Sequence, residues 1–362
     1  MSTTERQAMN YQLVQEPDEV REVLRRVDDF LPTNALTSVV PLSSATLRIL
    51  SKAKFALPPV LASATGERHR QVRQQVAGFF SPAKVASILP LVTEIVTSRC
   101  ELTEAVLQSS TVDLAGAVGR HIPPLILQEL IGVELPDLAI LKTWSRDSLE
   151  LFWGWPDEPR QAELAISAAA FYQWLIAKVE QHRGDQSLFG LLHATGLSVP
   201  EICSLGYFLI IAGQETTSQL ISIAFYRALS HPGCWQALAD GALSADSFVR
   251  QLLATESSVP TWRRVASRDT QLAGSAIPAG AEILLELSGH HLPGAGDNGY
   301  SLAFGHGLHR CLGAKLAELE TVCVLQTTAR LLPALRIVSA EPSWTRLLSF
   351  QSPDTVMVER TP

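Results

Sequence analysis

The run from Ser198 to Ser230 constrains this chain more than any other stretch. Ser198 and Glu201 form a capping box, and Pro200 sits in the first turn, so a helix begins there. Apolar residues then recur at helical spacing until His231-Pro232 ends the pattern. About thirty residues at 1.5 Å each span roughly 45 Å, the width of a whole domain, so this helix must cross the interior. With 362 residues of even composition, 46% of them hydrophobic, the chain can wrap a large core around such a rod, and one domain over residues 1–362 is expected.

In the middle of that helix lies AGQETT, residues 212–217. Gly213 costs on the order of 1 kcal/mol relative to alanine in a helix interior. Glu215 and Thr216 set a carboxylate beside a hydroxyl in an otherwise apolar segment, where burying a charge is expensive. Either this is a solvated patch on one face, or the polar pair is kept for chemistry.

The second informative run is FGHGLHRCLG, residues 304–313. Gly305, Gly307 and Gly313 allow backbone conformations that other residues resist and let the chain approach a flat cofactor. After Cys311 the apolar spacing is helical up to Pro333. Unpaired amides and the positive dipole end at a helix start favour a thiolate, the form in which cysteine binds metal. His309 and Arg310 add donors suited to an acidic group. A buried cysteine at a helix entry is the plainer alternative.

Elsewhere the pattern is mostly helical. EPDEVREVLRRVDDFL, SPAKVASILPLVTEIVTSRCELTEAVLQ and QAELAISAAAFYQWLIAKVEQH carry helical spacing. DTQLAGSAIPAGAEILLELS reads as a hairpin turning at Pro278-Ala279-Gly280. A net charge of −7 without a basic stripe argues against nucleic acid as a partner. Five scattered cysteines make no C-x-x-C pair, which points to a reducing cytoplasm. The polar N-terminal residues offer neither a signal peptide nor a membrane anchor.

Taken as a whole, Phe304, Gly307, His309, Cys311 and Gly313, followed by Leu316 and Ala317, closely resemble the haem-binding signature of the cytochrome P450 family. The A-G-x-E-T-T run resembles the oxygen-activation motif of the same family, and His69 and Arg73 in GERHRQVRQQ match its H-x-x-x-R element. The resemblance implies a mainly α fold with a small β-sheet region, of the soluble bacterial type. It implies haem b (iron protoporphyrin IX), with Cys311 as the iron ligand, Phe304 packed on the sulfur, and Gly305 and Gly313 beside the cofactor. His69, Arg73, His309 and Arg264 would meet the haem propionates, with Arg263 as the rival of Arg264. Ala212 and Gly213 would leave a groove for dioxygen, Thr216 would hydrogen-bond it, and Glu215 would relay protons.

The implied activity is monooxygenation of a small organic substrate, free or carrier-bound, with electrons from a ferredoxin or flavoprotein, in secondary-metabolite tailoring. Alternatives are a redox-neutral or peroxide-driven haem-thiolate enzyme and a non-catalytic recruitment domain. A monomer is expected. Phe152, Trp153 and Trp155, the Val259-Pro260-Thr261 segment and Ser349-Phe350-Gln351 are candidate pocket residues, the first three equally readable as core or lid packing.

The chain also departs from the family. The positions of its E-x-x-R pair fall on Gln251 and Ala254, and the loop 289–301 contains no arginine, so the ionic triad is absent. Losing one member of a buried ion pair costs about 3–5 kcal/mol, whereas replacing the whole set can be close to neutral. Concerted loss is therefore compatible with a stable fold. A displaced pair using Asp246 and Arg250, or Glu256, is the rival expectation.

Overall fold

The computed structural model describes residues 11–289, 302–338 and 341–361. The helices that position the site are α1 (Pro17–Arg25), α2 (Gly66–Ala77), α3 (Leu89–Leu107), α4 (Ile122–Ile131), α5 (Leu138–Trp153), α6 (Glu158–Gln181), α7 (Val199–Ser230), α8 (Ala245–Thr255) and α9 (Ala314–Leu331). The capping box at Ser198 and Glu201 starts α7 as expected, and α4, α5, α6 and α9 pack around it. Its N-terminal half, Ile202 to Ile211, belongs to one apolar core with α5 and α6. Its C-terminal half, Leu220 to Ala228, belongs to another with α3, α4 and α9. The AGQETT segment lies where the two cores part, so polar groups there displace no continuous apolar packing.

Two of the expected helices are shorter than their patterns. The 82–107 run breaks into Pro82–Ser87 and α3, because the Pro90 ring cannot sit within a continuous turn. The first ends at Arg25, and Phe30–Leu31 instead form a strand. That strand (β2) lies in a four-stranded sheet with β1 (Gln12–Val14), β3 (Thr261–Ala266) and Glu282–Glu286, in the order β1, Glu282–Glu286, β3, β2. The hairpin also differs from the expectation. Thr270–Leu272 pairs with Ser275–Ile277 through a turn at Ala273-Gly274, both with positive φ (48° and 80°), as a two-residue hairpin requires. Pro278-Ala279-Gly280 instead leads into Glu282–Glu286, which pairs with β3.

Candidate active site

An interior cavity of about 270 Å³ lies between α7 and the Phe304–Gly313 loop. Cys311 precedes α9, its N–H donates to the Phe304 carbonyl at 2.8 Å, and its sulfur opens into the cavity. Gly305 and Gly307 hold φ of +68° and +66°, and a Cβ on Gly307 would meet the Leu24 carbonyl of α1 at 3.0 Å. At Gly307 the loop thus approaches α1 more closely than a residue with a Cβ would allow. Burial pushes the Cys311 thiol up, against the pull of the Gly313 N–H, Arg73 and Arg310. A metal cation bound at the sulfur would act the other way and favour the thiolate.

Beside the sulfur sits a group of incompletely partnered polar side chains. His69 is fully buried and neither ring nitrogen is hydrogen-bonded. Its ring lies 4.8 Å from that of His309, whose Nε2 donates to the Ala64 carbonyl at 2.8 Å while Nδ1 is unpaired. Burial, with Arg264, His69 and Arg73 adding to it against the Ala64 hydrogen bond, brings His309 down to about 4. Arg264 is 1% exposed; its Nη1 donates to the Arg263 carbonyl at 2.7 Å, Nε has no partner, and burial lowers its pKa to about 10. Arg73 completes the group and donates to the Arg310 carbonyl. None of these four ion-pairs with a carboxylate among the described residues. Buried donors left this way are costly unless an anionic ligand accepts from them.

Strand alternation separates Arg264 from its rival. Successive residues of β3 face opposite sides, so Arg264 and Trp262 line the cavity. Arg263 instead bonds Tyr11 and the Thr37 carbonyl and lies over the Trp153 ring.

On α7, Ala212, Gly213 and Thr216 line the cavity. A Cβ on Gly213 would come within 3.1 Å of Leu127, so this glycine also lets α4 approach α7 closely. Thr216 Oγ1 donates to the Ala212 carbonyl at 2.7 Å, and Ser258 Oγ donates to the Thr216 carbonyl at 2.9 Å. Glu215 is buried and is held on the α5 side by Lys142, whose Nζ lies 3.0 Å from Oε2. Lys142 also donates to Gln214 and to Ser218 Oγ (2.8 Å), and Gln214 donates to Ser145. The polar segment is thus a buried, mutually satisfied network, not a solvated patch. Lys142 was missed by sequence reasoning; its only signal is the i, i+3 recurrence of Lys142, Ser145 and Ser148 on the buried face of α5.

No protein-family model matches the chain. It is 30% identical over 319 residues to cytochrome P450 105C1 of a Streptomyces species, covering 81% of each chain. The chain belongs to the cytochrome P450 family. It is also 29% identical over 317 residues to the cytochrome P450 monooxygenase PikC of Streptomyces venezuelae, covering 82% of this chain and 74% of that one. In structure it resembles cytochrome P450 CREJ, solved with (4-ethylphenyl) dihydrogen phosphate, at a TM-score of 0.89 and 26% identity, over 98% of this chain and 93% of that one. This P450 is a monooxygenase of the bacterial type, and its cofactor is haem b. The residues fit that group: a sulfur opening into the cavity can meet an iron, and the unpaired nitrogens of His69, His309 and Arg264 can meet two propionates.

Other expectations sort themselves by position. Val259 and Phe350 line the P450 cavity; Pro260, Thr261, Ser349 and Gln351 stand behind it. Phe152 and Trp153 are buried core and Trp155 is 38% exposed, and none of the three lines the cavity. Phe208 and Trp262 are pocket residues that the sequence reading did not single out. Among the described residues no single helix is long and apolar enough to cross a membrane.

The departure from the family also has a physical form. Gln251 is exposed on α8, and Ala254 accepts from the Gly289 N–H at 3.1 Å. The rest of the shortened loop, 290–301, lies outside the described residues. Asp246 and Arg250 pair within α8, on its exposed face. Glu256 instead joins the end of α7, accepting two hydrogen bonds from Arg227 at 2.5 and 2.7 Å. Arg227 in turn lies over Tyr226 and Trp344. This P450 therefore has an ion pair beside the vacated positions, displaced onto α7.

Proposed function

We propose that this P450, acting as one domain over its 362 residues in the cytoplasm, inserts oxygen into a small organic substrate of secondary metabolism. Electrons would come from a ferredoxin or flavoprotein. The observation that carries the reading is the cradle itself, with an accessible sulfur beside buried nitrogens that lack any anion. Cys311 is the iron ligand and Phe304, Gly305 and Gly313 shape the space around it. His69, Arg73, Arg264 and His309 hold the propionates. Haem, when bound through a thiolate, supplies electron density that favours O–O cleavage.

The remaining steps belong to side chains. Ala212 and Gly213 keep the helix surface low over the cavity. Thr216 Oγ1 donates its own proton to the Ala212 carbonyl, so its lone pairs are open to accept a proton bound for the cavity. Glu215 is the acid that resupplies that proton, as general acid catalysis requires. Lys142 Nζ, 3.0 Å from Oε2, holds the Glu215 side chain on the α5 side, so the relay requires Glu215 to take up a proton and turn toward Thr216. Dioxygen uptake and reductant consumption coupled to product distinguish this from redox-neutral or peroxide-driven chemistry.

The reduced carbon-monoxide spectrum tests the ligand. The wild type is expected to show the thiolate-type band and Cys311→His to lose it. A variant that keeps the band overturns the assignment.

A further inference from the structure

The cavity has two unlike walls. Its charged residues gather on the sulfur side: Arg73 bonds the Arg310 carbonyl, next to Cys311, and Arg264 acts electrostatically on His309. The opposite wall adjoins Thr216, because Ser258 donates to the Thr216 carbonyl and accepts from the Gln351 N–H at 3.0 Å. There the lining is mainly apolar, with Leu205, Phe208 and Leu209 of α7, Val259, Trp262 and Phe350, and its polar members, such as Ser257 and Ser258, are uncharged. None of the lining residues on that side is a Lys, Arg, Asp or Glu.

Three of these side chains form an aromatic corner. Trp262 meets Phe350 edge-on, with centroids 6.2 Å apart and planes at 87°, and meets Phe208 at 6.2 Å and 49°. Trp153 stands behind Phe350 at 5.0 Å and 85°, itself 2% exposed. The backbone locks the corner, since the Leu348 N–H donates to the Trp153 carbonyl at 2.8 Å. Aromatic faces held this rigidly favour ring edges and faces over flexible chains, which would lose more rotational freedom on binding. Trp262 is half-buried at the cavity, and its indole N–H has no hydrogen-bond partner among the described residues. A half-buried, unengaged donor on an apolar wall favours a ligand that brings an acceptor.

We infer that this P450 takes an uncharged substrate that lays an unsaturated ring against Trp262 and Phe350 and offers an oxygen acceptor to the Trp262 N–H. The inference rests on the reading above that haem occupies the sulfur side and engages its cations. An anionic substrate would then bury its charge against a wall with no counter-charge, which is strongly unfavourable. Trp262 is in these terms a specificity-determining residue, set two positions before Arg264 on the same face of β3.

The experiment titrates purified holoprotein with 4-ethylphenol, its phosphate monoester and a cis-hexadecenoic acid, reading the haem absorbance shift on binding. The neutral phenol is expected to bind at least tenfold more tightly than either anion. Trp262→Leu should weaken the phenol at least tenfold, and Trp262→Phe, which keeps a ring without the donor, should fall between. Tight binding of either anion, an unchanged Trp262→Leu, or no response to the phenol overturns the inference. Each variant's carbon-monoxide spectrum is recorded alongside. Loss of the thiolate band in the wild type would sink the haem-thiolate reading instead, so the two failures are told apart.

Discussion

Two polar clusters flank the cavity, and they are opposites. At Lys142 each charged or amide group has a partner: Lys142 donates to Glu215, Gln214 and Ser218, and Gln214 donates to Ser145. At the cradle, His69, His309 and Arg264 all carry unpaired buried nitrogens. Both clusters are buried, so desolvation alone does not distinguish them. What differs is completeness. A network that satisfies itself is part of the fold's own stability, whereas one that does not is shaped for something that arrives later.

The largest test breaks the complete cluster. Lys142→Met strands the Glu215 carboxylate, and removing one partner of a buried pair costs about 3–5 kcal/mol. Chemical denaturation of the holoprotein should show a loss of that order, and Lys142→Met combined with Glu215→Leu should recover much of it. An equal loss in the double variant would mean that packing, not charge, is what Lys142 contributes.

A buried acid outside both clusters gives a pH test of nearly the same size. Glu320 on α9 is 1% exposed with Oε2 unpaired, and burial pushes it up to about 8. The fold keeps its proton over a range where the unfolded chain, near its ordinary value of 4.5, releases it. The folded state then binds more protons, so stability must fall as pH rises through that window. Relative to Glu320→Gln, the wild type should lose on the order of a few kcal/mol between those two values. Parallel pH–stability curves would show that this carboxyl has found a partner.

The incomplete cluster should respond with the opposite sign. Arg264→Leu removes a buried cation that lacks a protein counter-charge, so the haem-free chain should gain stability, by about 1–3 kcal/mol. The holoprotein should release haem at least several-fold faster, measured by transfer to an apo-globin acceptor. If the variant destabilises both forms alike, the cradle is a structural network like that at Lys142.

Two smaller effects bear on the displaced ion pair. Arg227→Gln should cost about 1–2 kcal/mol in thermal or urea unfolding, because a bidentate, half-buried contact to Glu256 is lost. Gln251→Glu should change stability by less than about 0.5 kcal/mol, since residue 251 faces solvent.

The sites legible in the sequence were those written in consecutive residues. Cys311 with its glycines, the 212–217 segment and the His69–Arg73 spacing each sit within one turn or loop, where local geometry ties identity to position. The long helix was legible for the same reason, because capping and periodicity are local. Sequence could not choose Arg264 over Arg263, since the choice depends on which face of β3 meets the cavity. Nor could it find Lys142, which lies 73 residues from Glu215, or the Arg227–Glu256 pair, 29 residues apart.

The sequence by itself determined the glycine-rich loop around Cys311, the crossing helix and the family resemblance they carry, because backbone conformation, helix capping and donor type are properties of short segments. Only the tertiary structure decided which buried groups are paired and which are left open. It also decided that Trp262 and Phe350 meet in one corner. Burial and partnership are set by residues far away along the chain, so no local pattern could have contained them.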